Sequence, residues 1–189
     1  NLLANDTDVD TGDTKTVTTD GTYTGTYGSV VIATDGTWTY TLSNADTDTN
    51  ALAQGASASE VFNYTMTDAN GATSSSTLTI NITGTNDGPV ANADSNGSDA
   101  VSEQGVNPGN TAFAGDASAT GNLLANDTDV DTGDTRTVTT DGTYTGTYGS
   151  VVMATDGTWT YTLDNSNTDT NALAQGAAAS EVFNYTMTD

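Results

Sequence analysis

The chain has 189 residues and a formal net charge of −23, because 25 acidic residues stand against only Lys15 and Arg136. Nucleic acid is excluded as a partner, since two cations cannot neutralise a phosphate backbone. The chain has no Cys and no His, which excludes a disulfide framework, a thiolate site and most transition-metal sites. No apolar run exceeds about four residues, so we expect no membrane insertion.

Threonine decides between disorder and a folded β structure. Leu, Ile, Val and Phe together supply only 28 residues, a composition typical of disordered chains. Thr supplies 41 residues, however, and its β-branched side chain suits a pleated, half-solvated surface. The composition therefore predicts strands with one wet face.

A long internal repeat organises the sequence. Residues 1–68 recur at 122–189 with an offset of 121, and 62 of the 68 positions are identical. Near-identical tandem copies indicate an array of structural modules, and this period fits a whole domain. The pairs that differ are Lys15/Arg136, Ile32/Met153, Ser43/Asp164, Ala45/Ser166, Asp46/Asn167 and Ser57/Ala178.

The strand candidates follow one another in chain order with a period of two. Large apolar residues alternate with Thr or Asn in Thr37–Leu42, in Val61–Thr67 and in Thr77–Thr83. Such alternation predicts strands with one buried face. The segment Asn50–Ala58 is compatible with at most one turn of helix, because Gly55 interrupts it.

Turn residues separate these strands. Asp35-Gly36 predicts a two-residue hairpin between Val30–Thr34 and Thr37–Leu42, and Asp68–Gly71 predicts a turn before Thr77–Thr83. The cluster from Gly84 to Pro89 indicates a linker. Short strands with frequent turns predict an all-β fold of tandem antiparallel β-sandwich modules, each with about seven to nine strands.

The linker places a module boundary near Gly88. We therefore expect a first module at 1–87 that lacks its N-terminal strand. The second module, 88–189, is expected to lack its C-terminal strand. The chain begins without Met, so we expect it to be part of a longer protein.

The densest chemistry lies in an acidic loop. Asp6, Asp8, Asp10 and Asp13 repel one another unless a cation lies among them, and Gly12 allows the backbone to bend. Hard oxygen ligands of this kind suit Ca²⁺, although the loop has no Glu at the twelfth position of an EF-hand. The alternative is a solvated acidic turn. The second copy offers the same candidate ligands at Asp127, Asp129, Asp131 and Asp134.

A second candidate metal group surrounds the linker. Asn86 and Asp87 lie in it, and Glu103, one of only three Glu residues, follows in a polar stretch. An ion bound there would stiffen the joint between modules. The alternative is ordinary linker polarity.

Several motifs in order resemble one known family. The segments 1–10, 34–42, 51–55, 62–68 and 84–87 are similar to VCBS repeats, the cadherin-like and immunoglobulin-like modules of giant RTX-type bacterial adhesins. The resemblance covers nearly the whole chain. It implies a β-sandwich, Ca²⁺ binding, secretion within a very long protein, and a role in adhesion or biofilm matrix.

Carried over to this chain, the resemblance matches Asp6, Asp8, Asp10 and Asp13 to the acidic loop of the family. Asn86-Asp87 with Pro89 resembles a cadherin linker. Gly84 stands where cadherins have an acidic residue, and Thr11 lengthens the usual ending of the loop.

The leading functional hypothesis is a calcium-stiffened spacer and self-association module of an extracellular or cell-surface fibre. Its partners would be neighbouring repeats and other copies. One alternative is a fibre assembled by strand exchange between chains. Another is a surface that binds glycans or ice through the Thr37/Thr39/Thr41 ladder, the Thr22/Thr24/Thr26 ladder, Tyr23 or Tyr27. An enzyme is not expected, because the acids crowd into one polar loop without a basic partner.

Overall fold

The computed structural model describes residues 1–189, which divide into two compact units. Unit 1 comprises Asn1–Asp87 together with Asp131–Gly133, and unit 2 comprises Gly88–Val130 and Asp134–Asp189. Each unit has its own antiparallel sheets and its own hydrophobic core. No helix has the length and apolar character needed to span a bilayer.

Unit 1 contains six strands in two three-stranded antiparallel sheets. A short 3₁₀ turn at Leu2–Ala4 precedes them. The strands are β1 (Thr16–Val17), β2 (Gly21–Thr24), β3 (Gly28–Ile32), β4 (Trp38–Leu42), β5 (Ser57–Thr67) and β6 (Thr73–Thr83). The strand orders in the two sheets are β2–β3–β4 and β1–β5–β6.

β5 and β6 form the longest hairpin, with eleven residues in each strand. Their pairing runs without interruption from Ser57 opposite Thr83 to Thr67 opposite Thr73. The turn between them is held by Asp68, whose Oδ1 accepts from the Ala72 N–H at 2.7 Å. The turn predicted at Asp68–Gly71 is therefore present, and both strands extend beyond the predicted segments.

The hairpin at Asp35-Gly36 differs from the two-residue turn that the sequence predicts. The Ala33 N–H donates to the Thr37 carbonyl at 2.8 Å, which leaves three residues in the loop. Gly36 takes φ +78°, a conformation that glycine adopts without strain. Asp35 Oδ1 accepts from the Thr37 hydroxyl at 2.6 Å, and this hydrogen bond lowers the pKa of Asp35.

The single α-helix of unit 1 overlaps the predicted segment Asn50–Ala58 only at Asn50. It spans Thr47–Asn50, and Asp46 caps it by accepting from the Asp48 N–H at 2.9 Å. The end of the predicted segment belongs instead to β5. A capping side chain thus fixes the position of the helical turn more strongly than the Ala-rich composition downstream.

The core of unit 1 follows the predicted alternation. Val30 and Ile32 on β3 are fully buried, and Phe62 and Tyr64 on β5 point into the same cluster. Leu2 from the 3₁₀ turn completes it. Apolar side chains that seem sparse in the composition are therefore concentrated at the inward positions.

Unit 2 has one four-stranded antiparallel sheet and two further strand pairs. Its 3₁₀ turn is Leu123–Ala125. The strands are β7 (Gly105–Asn107), β8 (Thr111–Phe113), β9 (Ser118–Asn122), β10 (Thr137–Val138), β11 (Gly142–Thr145), β12 (Gly149–Met153), β13 (Thr158–Leu163) and β14 (Met187–Thr188). The four-stranded sheet has the order β11–β12–β13–β9, and the pairs are β7–β8 and β10–β14.

The repeated strands have different pairing partners in the two units. Six strands form unit 1, fewer than predicted, and eight form unit 2. The predicted strand equivalent to Val61–Thr67 pairs in unit 2 only at Met187–Thr188, because no counterpart of β6 lies beside it. Conversely, β9 covers β13, and Leu163 is 8% exposed whereas the equivalent Leu42 is 36% exposed.

A tight approach at Gly28 yields a first prediction. A Cβ there would lie 2.3 Å from the Thr41 carbonyl oxygen, a backbone atom that cannot move alone. We expect Gly28→Ala to destabilise unit 1 by about 2 kcal/mol through overpacking. Gly88→Ala, where a Cβ meets nothing within 4 Å, should change stability by less than about 0.5 kcal/mol. Urea unfolding of both variants measures the difference, and equal midpoints would contradict the packing described for β3 and β4.

Candidate functional site

Three acids of the first loop converge. Asp8, Asp10 and Asp13 each place a carboxylate oxygen within 4.8 Å of the other two. Asp8 and Asp10 are exposed and Asp13 is half-buried. Two oxygens that bind one Ca²⁺ at about 2.4 Å are at most about 4.8 Å apart, so this spacing fits a shared ion.

Local hydrogen bonds hold this loop in place. The Asp10 N–H donates to Asp8 Oδ1 at 2.9 Å, and the Asp13 N–H donates to the Asp10 carbonyl at 3.2 Å. Gly12, with φ +87°, allows the chain to reverse between them. Asn70 Nδ2 donates to Asp13 Oδ2 at 3.1 Å, which attaches the loop to the β5–β6 turn.

Asp6, the fourth acid predicted for this loop, does not belong to the converging group. Its two carboxylate oxygens accept from the Tyr64 hydroxyl at 3.0 and 3.1 Å. Burial and this hydrogen bond raise the pKa of Tyr64. Lys15 Nζ donates to the Asp6 carbonyl rather than to a carboxylate. Asp6 thus fastens the loop to β5.

The equivalent of Asp6 in unit 2 is Asp127, which is only 4% exposed. Its carboxylate accepts from the Asn92 N–H at 2.6 Å and from the Tyr185 hydroxyl at 3.0 Å. Burial and the bond to Asp127 raise the pKa of Tyr185. Arg136 repeats the contact of Lys15 and donates to the Asp127 carbonyl.

Asp94 places a second carboxylate close to that of Asp127. Its Oδ2 is buried and accepts no hydrogen bond. Burial, and then the negative charge of Asp127, raise the pKa of Asp94, while the nearby Tyr185 hydroxyl opposes the shift. The donors that reach the Asp127 carboxylate are neutral, and Arg136 contacts the backbone carbonyl of Asp127.

The remaining acids of the second loop are divided between the two units. Asp131 belongs to unit 1, where it is 4% exposed and its Oδ2 accepts from the Asp87 N–H at 2.7 Å. Asp129 and Asp134 belong to unit 2, where Asp129 is half-buried and Asp134 is exposed.

The linker candidates are not part of a converging acidic group. The Asn86 N–H donates to Gln54 Oε1 at 3.0 Å within unit 1, and the backbone of Asp87 contacts Asp131. Glu103 is half-buried in unit 2, next to the bridge between Ser102 and Asp116.

Glu60 and Glu181 are not among the residues predicted from the sequence. Glu60 is 7% exposed, and its oxygens accept from the Tyr40 hydroxyl at 2.7 Å and from the Tyr27 N–H at 2.6 Å. Burial and the bond to Glu60 raise the pKa of Tyr40. Glu181 makes the equivalent bonds in unit 2. The sequence does contain a signal for these residues, because an acid occupies an inward position of an alternating strand.

The predicted threonine ladder begins at Thr37, directly before β4, and continues along that strand. Thr37, Thr39 and Thr41 are exposed, whereas β2 ends at Thr24, so Thr26 lies in the following turn. In register, Thr22, Val31 and Thr39 form one row across the sheet. This face carries hydroxyl and methyl groups without charge.

The fold and the acidic loops define a class of protein: tandem β-sandwich modules with carboxylate clusters in their loops. The profile of the bacterial cadherin-like domain matches residues 1–84 and 86–189. The chain belongs to this family, whose domains are typically non-enzymatic structural or adhesion-type modules, generally outside the cell or at its surface. No curated protein matches the chain.

The Tyr40–Glu60 bond yields a second prediction. Tyr40→Phe removes the hydroxyl that donates to Glu60 Oε2. One oxygen of this buried carboxylate then loses its hydrogen-bond donor. We expect a loss of about 1–3 kcal/mol in the free energy of unfolding of unit 1. Tyr23→Phe is the matched control, because the Tyr23 hydroxyl donates only to the Thr19 carbonyl at 2.8 Å. Chemical denaturation compares the two variants. Equal losses in the free energy of unfolding would contradict a specific role of the Tyr40–Glu60 hydrogen bond.

The Asp94–Asp127 pair yields a third prediction. The pKa of Asp94 is raised in the folded state, so its ionisation at neutral pH opposes folding. Asp94→Asn should therefore raise the melting temperature by about 2–4 °C in EDTA at pH 7. The relative gain should shrink as the pH falls through the raised pKa of Asp94, because the carboxylate then takes up a proton. Asp20→Asn, in an exposed turn, controls for net charge, and an equal gain there would exclude a local effect.

Proposed function

We propose that the chain is a calcium-stiffened structural repeat of an extracellular bacterial adhesin or matrix fibre, in which it acts as a spacer and self-association module for cell adhesion or biofilm. Membership of the bacterial cadherin-like family supports the structural role. The observation that carries the calcium part is the convergence of Asp8, Asp10 and Asp13 within 4.8 Å. The partners would be neighbouring repeats and other copies.

The residues of the chain explain how an ion would stiffen a unit. Bound Ca²⁺ supplies positive charge that cancels the repulsion among the carboxylates. Asp13 is bonded to Asn70, and Asp6 is bonded to Tyr64, so the loop is attached at two points of the β5–β6 hairpin. Order gained in the loop therefore reaches the longest strands of unit 1.

In unit 2 the oxygen that needs a partner belongs to Asp94. Its buried Oδ2 and the adjacent charge of Asp127 favour a cation at this point. The possible metal ligands around Asp94 are oxygen atoms of carboxylates, of a phenol and of a backbone carbonyl. Such a donor set suits Ca²⁺ rather than a softer metal.

Thermal melts followed by circular dichroism test the proposal. With Ca²⁺ at about 5 mM and a site saturated about 100-fold over its Kd, the midpoint should rise by about 10 °C relative to EDTA. The double variant Asp8→Asn/Asp94→Asn should lose most of that rise. The double variant Asp20→Asn/Asp141→Asn removes the same charge from equivalent exposed turns and should keep it.

A sodium chloride sample of equal ionic strength separates binding from screening. An equal rise in sodium chloride, or identical melts in Ca²⁺ and EDTA, would contradict calcium stiffening. The acidic loops would then be solvated turns.

A further inference from the structure

Each unit contains an open groove that the proposed calcium role does not use. In unit 1 it lies between Tyr23–Thr26 and Ser59–Asn63 and has a volume of about 490 Å³. The equivalent groove of unit 2 lies between Tyr144–Thr147 and Ser180–Asn184, with about 560 Å³. The groove therefore belongs to the repeated module.

One wall of the groove in unit 1 is the free edge of β5. The Thr18 N–H donates to the Thr65 carbonyl at 2.8 Å, and the Thr65 N–H donates to Thr19 Oγ1 at 2.9 Å. Residues two apart in a strand direct their backbone groups to the same edge. The backbone groups of Asn63, Val61 and Ser59 therefore face the groove, beyond the short β1.

The opposite wall is the free edge of β2. The Gly25 N–H donates to the Gly28 carbonyl at 2.7 Å, so the alternate positions Gly25 and Tyr23 bond towards β3. Thr22 and Thr24 consequently direct their backbone groups away from β3, which is the only partner of β2. Both walls thus offer unpaired strand edges.

Glu60 fixes the separation of these walls. It projects from β5 and accepts from the Tyr27 N–H at 2.6 Å, directly after β2. Its carboxylate lies against Gly25, where an added Cβ would be 2.3 Å from Oε1. The charge of Glu60 is buried, and the other residues that line the groove are uncharged. An extended segment without acidic residues matches such a groove, by adding a strand.

The chain itself carries such a segment in the β7–β8 hairpin. All twelve residues from Gln104 to Gly115 are uncharged, although the chain has 25 acids. Both strands are exposed along their length, with Val106 at 63% and Phe113 at 44%. The Ser102–Asp116 bridge anchors its base, and β7 and β8 pair only with each other.

We propose that the β8 edge of the hairpin in one copy adds as a strand to the groove of a second copy. Two chains of charge −23 repel each other, so contact is favoured where both surfaces are uncharged. The exposed Phe113 would meet Val61, which is 57% exposed beside the groove. The hairpin and the groove are different surfaces, so the contact is heterologous and propagates along a series of copies.

Each contact buries little area, below the roughly 1,000 Å² of a stable interface. The association is therefore weak for a single groove and gains strength when many repeats engage together. This inference goes beyond calcium binding, and it gives the self-association of the proposed fibre a definite pair of surfaces.

A titration of the ¹⁵N-labelled chain with a synthetic peptide of residues 104–115 tests the contact. We expect saturable amide shifts at Thr22–Thr26 and Ser59–Asn63 and at their equivalents in unit 2. Shifts confined to other strand edges, or no shifts at millimolar peptide, would overturn the proposal. A peptide with Asp in place of Val106 and Phe113 should bind at least tenfold more weakly.

Sedimentation of the intact chain over a range of concentrations supplies the second readout. Phe113→Asp removes the exposed aromatic side chain, and Thr24→Pro removes an N–H that faces the groove, without breaking a bond to β3. Both should reduce self-association at least tenfold, whereas Val31→Asp, on the outer face of β3, should not. Association unchanged in both variants, with native circular dichroism, would contradict the contact.

The calcium melt and the peptide titration test the two proposals separately. Loss of the calcium effect with intact peptide shifts would refute only the proposed stiffening. A calcium effect without peptide shifts or self-association would refute only the hairpin contact.

Discussion

Hydrogen bonds from neutral donors to buried carboxylates underlie most of this structure. A chain with 25 acids and two cationic side chains cannot pair its buried acids with Lys or Arg. Tyrosine hydroxyls and backbone N–H groups take that role instead, as between Tyr64 and Asp6 and between Tyr40 and Glu60. The two cations reach backbone carbonyls at the start of the acidic loops. This arrangement joins loops and sheets mainly through neutral donors, and Asp8, Asp10 and Asp13 converge at the tip of the first loop.

The same arrangement explains which features the sequence predicts. Strands with alternating Thr and large apolar residues were predictable, because one buried face requires that period. The turn at Asp68 was predictable from local side-chain bonds. The helical turn at Thr47–Asn50 was misplaced, because a single capping Asp46 decides its position. Glu60 was missed, because only the packed structure brings Tyr40 and the Tyr27 N–H to it.

The acidic loop was predictable in composition but only partly in geometry. Asp8, Asp10 and Asp13 share a short loop, so local spacing suffices to bring them together. Asp6 fits the same spacing, yet its oxygens bond to Tyr64, a residue 58 positions away. Asp94 was not predicted at all, because its relation to Asp127 depends on how a distant segment folds back. Sequence spacing therefore predicts contacts within a loop. Tertiary contacts decide which of its acids bond to distant residues instead.

The cover that β9 provides has a practical consequence for spectroscopy. The chain has two Trp residues, one in each unit, at equivalent positions of β4 and β13. Trp38 is 37% exposed, whereas Trp159 is half-buried, with its indole ring lying against Gly121 of β9. The two indoles should therefore emit at different wavelengths, with Trp38 further to the red. Intrinsic fluorescence then follows the unfolding of each unit separately, without any label.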